Sequence, residues 1–336
     1  MKKILVTGGS GFIGTNLIDS LVKDGFLILN LDNNKPLKDV HNQYFKEVDL
    51  LNFDKLKKSI IDFSPEILIH LAAITDLNGE DLDYYAANIK GTQNIIDIAQ
   101  LVPSLKKIIY TSSMYVCRPG FIPPDYDTYN PHTVYGESKA KMELLIKDIK
   151  NAHYEWIIIR PTSIWGPWFN IPYIDFFNVV YQKKYFDFGK ACTKTYGYIG
   201  NTVFQIKKLI DTPGLNGKTY YLGDMPPIQI SEWANEISIA FGKGKIKSIP
   251  YLLLKGVALA GDVLKKIGIK FPMTSFRLSN MTTDNILPLE NLYVIAGEPP
   301  HSRKEGVAKT INWLVEDRNY IVEKRSQPTA TPNFHP

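Results

Sequence analysis

Three glycines spaced three residues apart constrain this chain more than any other feature: they are Gly8, Gly11 and Gly14, in the segment VTGGSGFIGTNL. The apolar run KKILV precedes them and predicts a buried parallel strand. Apolar residues then recur at helical spacing over 12–22. The glycines are therefore expected in a strand-to-helix turn, where amides at the start of the helix can bind a pyrophosphate.

A second apolar run, FLILNLD, ends in Asp32, which lies 18 residues after Gly14. Dinucleotide-binding folds place a carboxylate near this distance, where it binds the hydroxyls of the adenosine ribose. The order of strand, turn, helix, strand and acid therefore predicts a dinucleotide cofactor. The Asp32 carboxylate repels a 2′-phosphate and predicts NAD rather than NADP, although Lys35 could partly offset that repulsion.

Strand-like and helix-like segments alternate through the first half of the chain. This alternation predicts an α/β fold of the Rossmann type, with a doubly wound parallel sheet and helices on both faces. Aromatic residues and prolines cluster after residue 165, which predicts a smaller C-terminal substrate-binding domain. The predicted division is a cofactor-binding domain at 1–165, a substrate-binding domain at 166–325 and a disordered tail at 326–336. Segment 194–210 is a candidate to pack with the first domain again.

Composition narrows the partners of the chain. Its net charge of +5 suits an anionic ligand, but no arginine-rich run indicates nucleic acid. Cys117 and Cys192 form no metal-ligand pattern and, with no signal peptide, predict a cytoplasmic protein without a metal. Segment 249–269 is apolar but is interrupted by charges and glycines, so no membrane span is predicted. It is interpreted as an amphipathic helix packed on the protein, with a helix on a membrane surface as the alternative.

Tyr135 and Lys139 are four residues apart at the start of a predicted helix, so their side chains share one face. A phenol is a poor base because its pKa is about 10, and a neighbouring ammonium is expected to lower that pKa. Ser113 follows a predicted strand, at the sheet edge where active sites form in open α/β folds. Thr111 and Ser112 are rival hydroxyl donors. These residues predict an acid–base site for a substrate hydroxyl or carbonyl.

The chain resembles the extended short-chain dehydrogenase/reductase family, the group of NAD-dependent epimerases and dehydratases that includes UDP-galactose 4-epimerase. The matching segments run in the family's order through the first 170 residues: TGGSGFIG, LDNN, VDLLN, IHLAA, NIKGTQN, YTSSMYV, YGESK and RPTSIWGP. Weaker matches follow in TYYLGD, ISEWANEI and EGVAKTINW. The resemblance implies an NAD-dependent enzyme that transfers a hydride at a secondary alcohol or keto carbon of a nucleotide sugar.

The resemblance also implies a role for each matching residue. Ser113, Tyr135 and Lys139 match the catalytic residues, and Lys139 would also hold the nicotinamide ribose. The cofactor-binding positions, in chain order, are Gly8, Gly11, Phe12, Ile13, Gly14, Asp32, Asn33, Asp49, Leu50, Leu71, Ala72, Ala73 and Asn88, together with Tyr135 and Lys139. A nucleotide diphosphate sugar would need cations and an amide in the second domain. The candidates for these substrate contacts are Arg277 first, then Asn170 and Lys194.

Departures from the family pattern narrow the reaction. Family dehydratases carry an Asp-Glu pair directly after the catalytic hydroxyl residue, whereas Met114 and Tyr115 stand there in this chain, which argues against sugar dehydration. The segment LDNN resembles the epimerase type, so epimerisation through a keto intermediate is the leading prediction. Net reduction of a 4-keto sugar is an alternative that uses the same residues.

A hydroxysteroid- or flavonoid-type dehydrogenase of the same superfamily is the other enzymatic alternative, because IPYLLLKGVALAGDVL resembles the second domain of that branch. A cofactor-binding regulator without turnover is disfavoured, since it need not keep all three catalytic residues. Relatives commonly dimerise by pairing two helices from each subunit. The corresponding segments here are 82–101 and the helix that starts at Tyr135. Their apolar positions exceed one sheet-facing stripe and predict a homodimer.

Overall fold

The computed structural model describes residues 2–170, 173–187, 189–266, 275, 278 and 282–322. Its centre is a sheet of seven parallel strands in the order β3-β2-β1-β4-β5-β6-β10. The strands of this sheet are β1 (Lys3–Thr7), β2 (Leu27–Asp32), β3 (Phe45–Glu47), β4 (Ile67–His70), β5 (Lys107–Thr111), β6 (Glu155–Pro161) and β10 (Lys218–Leu222). The predicted doubly wound Rossmann-type fold is confirmed. The strand order reverses between β1 and β4, which is where such folds bind their ligands.

Helices cover both faces of this sheet. The main helices are α1 (Phe12–Lys23), α2 (Phe53–Phe63), α3 (Ala86–Ala99), α4 (Val134–Lys147), α5 (Tyr173–Tyr181), α6 (Ile199–Asp211), α7 (Ile230–Ala240) and α8 (Tyr251–Lys266). Two further helices are Glu290–Ala296 and Arg303–Arg318. Because successive side chains of a strand alternate in direction, Ile4 and Val6 of β1 pack in one core with α1 and α6. Leu5 packs on the opposite face with α2, α3 and α4.

Short strands outside the central sheet build the surroundings of the site. They are β7 (Ser163–Trp165), which pairs with β9 (Tyr196–Tyr198), and β8 (Thr193–Lys194), which pairs with β11 (Ile228–Gln229). Helix α6, in the segment predicted as a candidate to return, contacts α1 through Lys207, whose ammonium lies 3.0 Å from Ser20 Oγ. Strand β10 then pairs with β6 at the sheet edge. The division at residue 165 stays a prediction.

Two of the predictions fall outside the part of the chain that the structure describes: they concern Arg277 and the tail at 326–336. Within the described ranges, no helix has both the length and the apolar composition needed to cross a bilayer. Those ranges also contain no group of three or more His, Cys, Asp or Glu residues that could hold a metal ion.

Candidate active site

The glycine turn follows β1 and opens helix α1. Gly8 has a φ of +73°, and a Cβ there would lie 2.4 Å from the backbone nitrogen of Ala72. A Cβ at Gly14 would lie 2.5 Å from the carbonyl oxygen of Gly8, so packing requires glycine at both positions. A Cβ at Gly11 would approach nothing closer than 3.4 Å. Packing therefore does not require glycine at position 11, and the missing side chain leaves open the approach to the start of α1.

The N-cap residue of α1 is Gly11, which has no side chain to cap the helix. The first amides of a helix have no intrahelical acceptor and carry the positive end of its dipole. Phe12 and Ile13 provide such amides at the glycine turn. This arrangement fits the pyrophosphate of a dinucleotide, as the sequence predicts.

Asp32 ends β2 beside this turn. Its carboxylate accepts the backbone N–H of Ser10 at 3.0 Å and that of Asn34 at 2.9 Å. These two bonds fix the carboxyl group between the turn and the loop that follows β2, and Asn33 is exposed next to it. A fixed acceptor at this position suits a ribose diol, which has two hydroxyl donors.

The other predicted cofactor residues follow neighbouring strands. Asp49 is exposed and Leu50 is buried after β3, while Leu71, Ala72 and Ala73 are partly buried after β4. Asn88 of α3 is fully buried, and its amide both accepts from and donates to the backbone of Ile74. The same amide donates to Ser138 Oγ at 3.0 Å. Asn88 thus ties the loop after β4 to helix α4, and this role was not predicted.

Ser113, Tyr135 and Lys139 meet at the carboxyl end of β5, and all three are buried. Ser113 begins a short 3₁₀ turn at Met114–Val116, and its hydroxyl accepts the Tyr115 N–H at 3.2 Å. Helix α4 starts at a Thr133 cap, which places Tyr135 in its first turn. The Ser113 hydroxyl acts on the Tyr135 phenol in the direction that lowers its pKa.

The pKa values of this cluster differ from the sequence-based expectation. Burial raises the pKa of Tyr135 to about 12, and the Ser113 hydroxyl only partly offsets that effect. Burial lowers the pKa of Lys139 to about 7, with the charge of Glu143 acting in the opposite direction. The expected lowering of the phenol pKa by Lys139 is not observed. The Lys139 ammonium donates to the carbonyl oxygen of Thr111 at 2.9 Å, and desolvation dominates at both groups.

The rival donors lie at the same edge of the sheet. Thr111 and Ser112 are buried, and within the described residues their hydroxyl oxygens have no hydrogen-bond partner. Unpaired buried hydroxyls are uncommon and are concentrated at sites that bind a ligand or do chemistry. Both residues therefore remain candidate donors beside Ser113.

A cavity of about 250 Å³ opens next to this cluster, with Met114 in its wall. Five aromatic residues line it: Tyr115, Tyr173, Phe176, Tyr196 and Trp233. The indole N–H of Trp233 is buried and, among the described residues, has no hydrogen-bond partner. The sequence indicated an aromatic segment after residue 165, but it did not single out these five positions, which come from four separate stretches of the chain.

The predicted substrate residues behave differently from one another. Lys194 lines the cavity and supplies a cation there. Asn170 is exposed, and its carbonyl oxygen accepts the first amides of α5 rather than lining the cavity. Asn285 also lines the cavity and was missed, although it ends the segment FRLSNMTTDN that contains Arg277.

A buried ion pair supports helix α4 from behind. Arg160 of β6 and Glu143 of α4 are fully buried and form two hydrogen bonds of 2.8 and 2.7 Å. Arg160 also donates to the hydroxyl of Tyr221 at 3.2 Å, and Tyr129 donates to Glu143 at 3.0 Å. Glu143 lies four residues after Lys139, and its charge acts to raise the Lys139 pKa against the larger effect of burial. The network therefore helps to position α4 and its site residues. Sequence reasoning missed it.

The comparisons with known proteins agree with this geometry. The model of the NAD dependent epimerase/dehydratase family matches residues 4–175. An N-acetyl-alpha-D-glucosaminyl-diphospho-ditrans,octacis-undecaprenol 4-epimerase of Escherichia coli O157:H7 is 26% identical over 92% of this chain and 94% of its own length. A 3-beta-hydroxysteroid dehydrogenase of Mycolicibacterium neoaurum is 25% identical over 98% and 96%. The structure of a Thermus thermophilus UDP-glucose 4-epimerase in complex with NAD superposes with a TM-score of 0.71 at 19% identity, covering 94% of this chain and 99% of that one.

Proposed function

The chain belongs to the NAD-dependent epimerase/dehydratase family, and we propose that it epimerises a nucleotide diphosphate sugar by hydride transfer, with Tyr135 as the acid–base group. It is an NAD-dependent enzyme of the extended short-chain dehydrogenase/reductase type, and the resemblance inferred from its sequence is confirmed. The observation that carries the proposed reaction is the meeting of Ser113, Tyr135 and Lys139 beside an aromatic cavity at the sheet edge.

The chain's own residues account for cofactor binding in this proposal. The glycine turn and the first amides of α1 bind the pyrophosphate, and Asp32 accepts hydrogen bonds from the adenosine ribose. Lys139 donates to the nicotinamide ribose from the position it holds beside Thr111. When bound, NAD supplies the hydride acceptor and, in the return step, the hydride donor.

Proton transfer follows from the positions of the hydroxyl groups. Ser113 donates a hydrogen bond to the substrate oxygen, and Tyr135 accepts the proton of the substrate hydroxyl as the carbon loses its hydride. Protonated Lys139 stabilises the phenolate that this step requires. The keto sugar would then turn within the cavity, and Tyr135 would return the proton to the oxygen when the carbon is reduced from its other face.

The residues after Ser113 favour epimerisation over dehydration. Elimination of water needs a carboxylate acid or base near the sugar, whereas Met114 and Tyr115 line the cavity at the positions concerned. Among the described residues, no carboxylate lines that cavity. Net reduction of a 4-keto sugar would use the same residues but would consume one NADH per turnover and release NAD.

A second candidate substrate is an apolar secondary alcohol of the steroid type. The aromatic wall of the cavity favours it, since Phe176 and Trp233 both line the cavity and stack with their ring centroids 4.8 Å apart. The likeness to a 3-beta-hydroxysteroid dehydrogenase over nearly the whole chain also supports it. Lys194 in the same cavity favours the anionic sugar nucleotide.

A substrate panel tests these alternatives. The protein is incubated with NAD and either UDP- or dTDP-hexoses or a 3β-hydroxysteroid, while NADH absorbance and sugar configuration by NMR are followed. We expect the hexose to reach a mixture of two epimers without accumulation of NADH. Steroid oxidation with NADH formation and unchanged sugars would support the second candidate. Binding of NAD with turnover of neither class would contradict both assignments.

A further inference from the structure

Helix α8 buries only a narrow stripe of its surface. Leu254 and Ala258 are 9% and 0% exposed and pack with Ile249, Tyr251 and Leu278. A surface helix of this kind normally presents polar side chains on the remaining face. In α8 most of the remaining described surface is apolar instead, with the exposed Lys255 as a charged exception.

Three large apolar side chains lie opposite the buried stripe: Leu252 is 79% exposed, Leu259 54% and Val263 61%. Their spacing of seven and four residues aligns them along one side of the helix. Leu253 and Val257 extend this surface at its flank, with exposed fractions of 63% and 43%. A contiguous apolar surface of this kind on one helix indicates a partner.

Positive charge is concentrated in α8 and in the loop that leads into it. Residues 241–266 contain six lysines and one acidic residue, a net charge of +5, which equals that of the whole chain. The net charge of the other 310 residues is therefore zero. Lys245 and Lys247 are exposed in the loop before α8, and Lys255 is exposed on the helix itself. The acidic residue, Asp262, accepts the backbone N–H of Ser275 at 3.1 Å.

We propose that α8, together with the lysine loop 243–247, docks on an anionic lipid surface, with Leu252, Leu259 and Val263 inserted among the acyl chains. The charge pattern selects this partner over a second copy of the chain. A two-fold contact would bring the same face against itself and oppose the lysine clusters of the two copies. An anionic bilayer supplies both an apolar interior for the leucines and a negative surface for the lysines.

Vesicle sedimentation of the full-length protein tests this docking. Wild-type protein is mixed with vesicles of phosphatidylcholine alone or with one third phosphatidylglycerol. It is compared with Leu252→Asp/Leu259→Asp and with the matched control Leu37→Asp/Val40→Asp, whose parent side chains are 48% and 66% exposed near the edge strand β3. Circular dichroism establishes that each variant is folded, and light scattering gives its mass.

We expect wild-type protein to sediment with the anionic vesicles and not with pure phosphatidylcholine. The α8 variant should lose at least ten-fold in bound fraction, while the control variant binds like wild type. Lys245→Gln/Lys247→Gln should weaken binding and reduce its dependence on salt. Equal binding of the α8 variant, or no binding of wild type to either vesicle, overturns the proposal. So does a two-fold drop in mass on mutating α8, since a second copy would then be the occupant.

The vesicle experiment is independent of the proposed reaction. Leu252, Leu259 and the loop lysines are absent from the residues placed in the cofactor and catalytic sites. Turnover of a water-soluble substrate by the α8 variant should therefore match wild type. Loss of lipid binding with retained turnover separates the two assignments, and a failed substrate panel leaves the docking result standing.

Discussion

The phenol of Tyr135 and the amine of Lys139 are both shifted toward their neutral forms, with pKa values of about 12 and about 7. Desolvation is the largest cause at each, because a buried site of low polarity disfavours either charge. The two shifts have opposite consequences for catalysis. The raised Tyr135 pKa suits the phenol to protonate a developing alkoxide. Its use as a base requires a protonated Lys139 beside it, and the lowered Lys139 pKa disfavours that protonated form.

Removing the phenol oxygen tests the role of Tyr135 directly. We expect Tyr135→Phe to lower kcat by about 10² to 10⁴, the usual effect of a positioned acid or base. NAD binding, measured by calorimetry, should persist because the glycine turn is untouched. Lys139→Met should weaken both turnover and NAD binding, since the proposed mechanism uses that amine at the ribose as well as beside the phenol. Tyr84→Phe, at a half-exposed tyrosine outside the catalytic cluster, is the matched control. Near-full turnover by Tyr135→Phe, with hydride transfer rate-limiting, would remove the assignment.

What could be predicted at the residue scale depended on separation along the chain. The glycine turn and the Tyr135–Lys139 pair are local patterns, because one turn or one helical repeat brings their members together. Arg160 and Glu143 are 17 residues apart on a strand and a helix, and a lone glutamate four residues after Lys139 resembles any solvated helix position. The aromatic cavity likewise joins segments far apart in sequence, so no local signal identifies it.

At the scale of elements, strand length decided what the sequence could predict. β1 and β2 were readable because each lies in a largely apolar run before a turn signal, whereas β3 is the short segment FKE and gives no such signal. Strands β8 and β11 are two residues long and show no periodicity, so they were not predicted. Their pairing nevertheless sets the position of Lys194 in the cavity wall.

Lys107 links the start of β5 to the end of helix α6, and the contribution of this link to stability can be measured. Its buried ammonium donates to the carbonyl oxygens of Leu209, Ile210 and Thr212, at the end of α6, at 3.0, 3.1 and 2.5 Å. These carbonyls lie in the last turn and beyond, where a helix has no internal donor for them. Lys107→Met should leave them unpaired and lower the free energy of unfolding by about 2–3 kcal/mol in urea titrations.

The neighbouring residue provides the control for this prediction. Lys106 is 73% exposed at its side chain and pairs with Glu66 at 2.7 Å on the surface. Exposed pairs contribute about 0–1 kcal/mol, so Lys106→Met should change stability little. If both variants lowered the free energy of unfolding equally, the effect would come from the loss of a positive charge at the start of β5 and not from the α6 carbonyls.

The whole molecule raises the question of assembly, which the sequence predicted through α3 and α4. These helices pack against each other, and α3 directs Ile95, Ile96 and Ile98 into the core of its own chain. Leu144 of α4 is different, since it is 54% exposed. Burial within one chain therefore accounts for much of the apolar pattern of α3. On α4, Leu144 is the exposed apolar side chain that a partner would bury.

A charge at this position tests the predicted homodimer. In a two-fold interface one substitution occurs twice, so Leu144→Arg would place two like charges near the contact without a partner for either. We expect wild-type protein to elute with twice the chain mass of 38.1 kDa by size-exclusion chromatography with light scattering, and Leu144→Arg to elute as a single chain. Val40→Arg, at a valine that is 66% exposed just before β3, should keep the wild-type mass. A wild-type protein of one chain mass at micromolar concentration would contradict the dimer. A dimer that survives Leu144→Arg would show that the contact does not involve this part of α4, because burying two unpaired arginines would destabilise the interface.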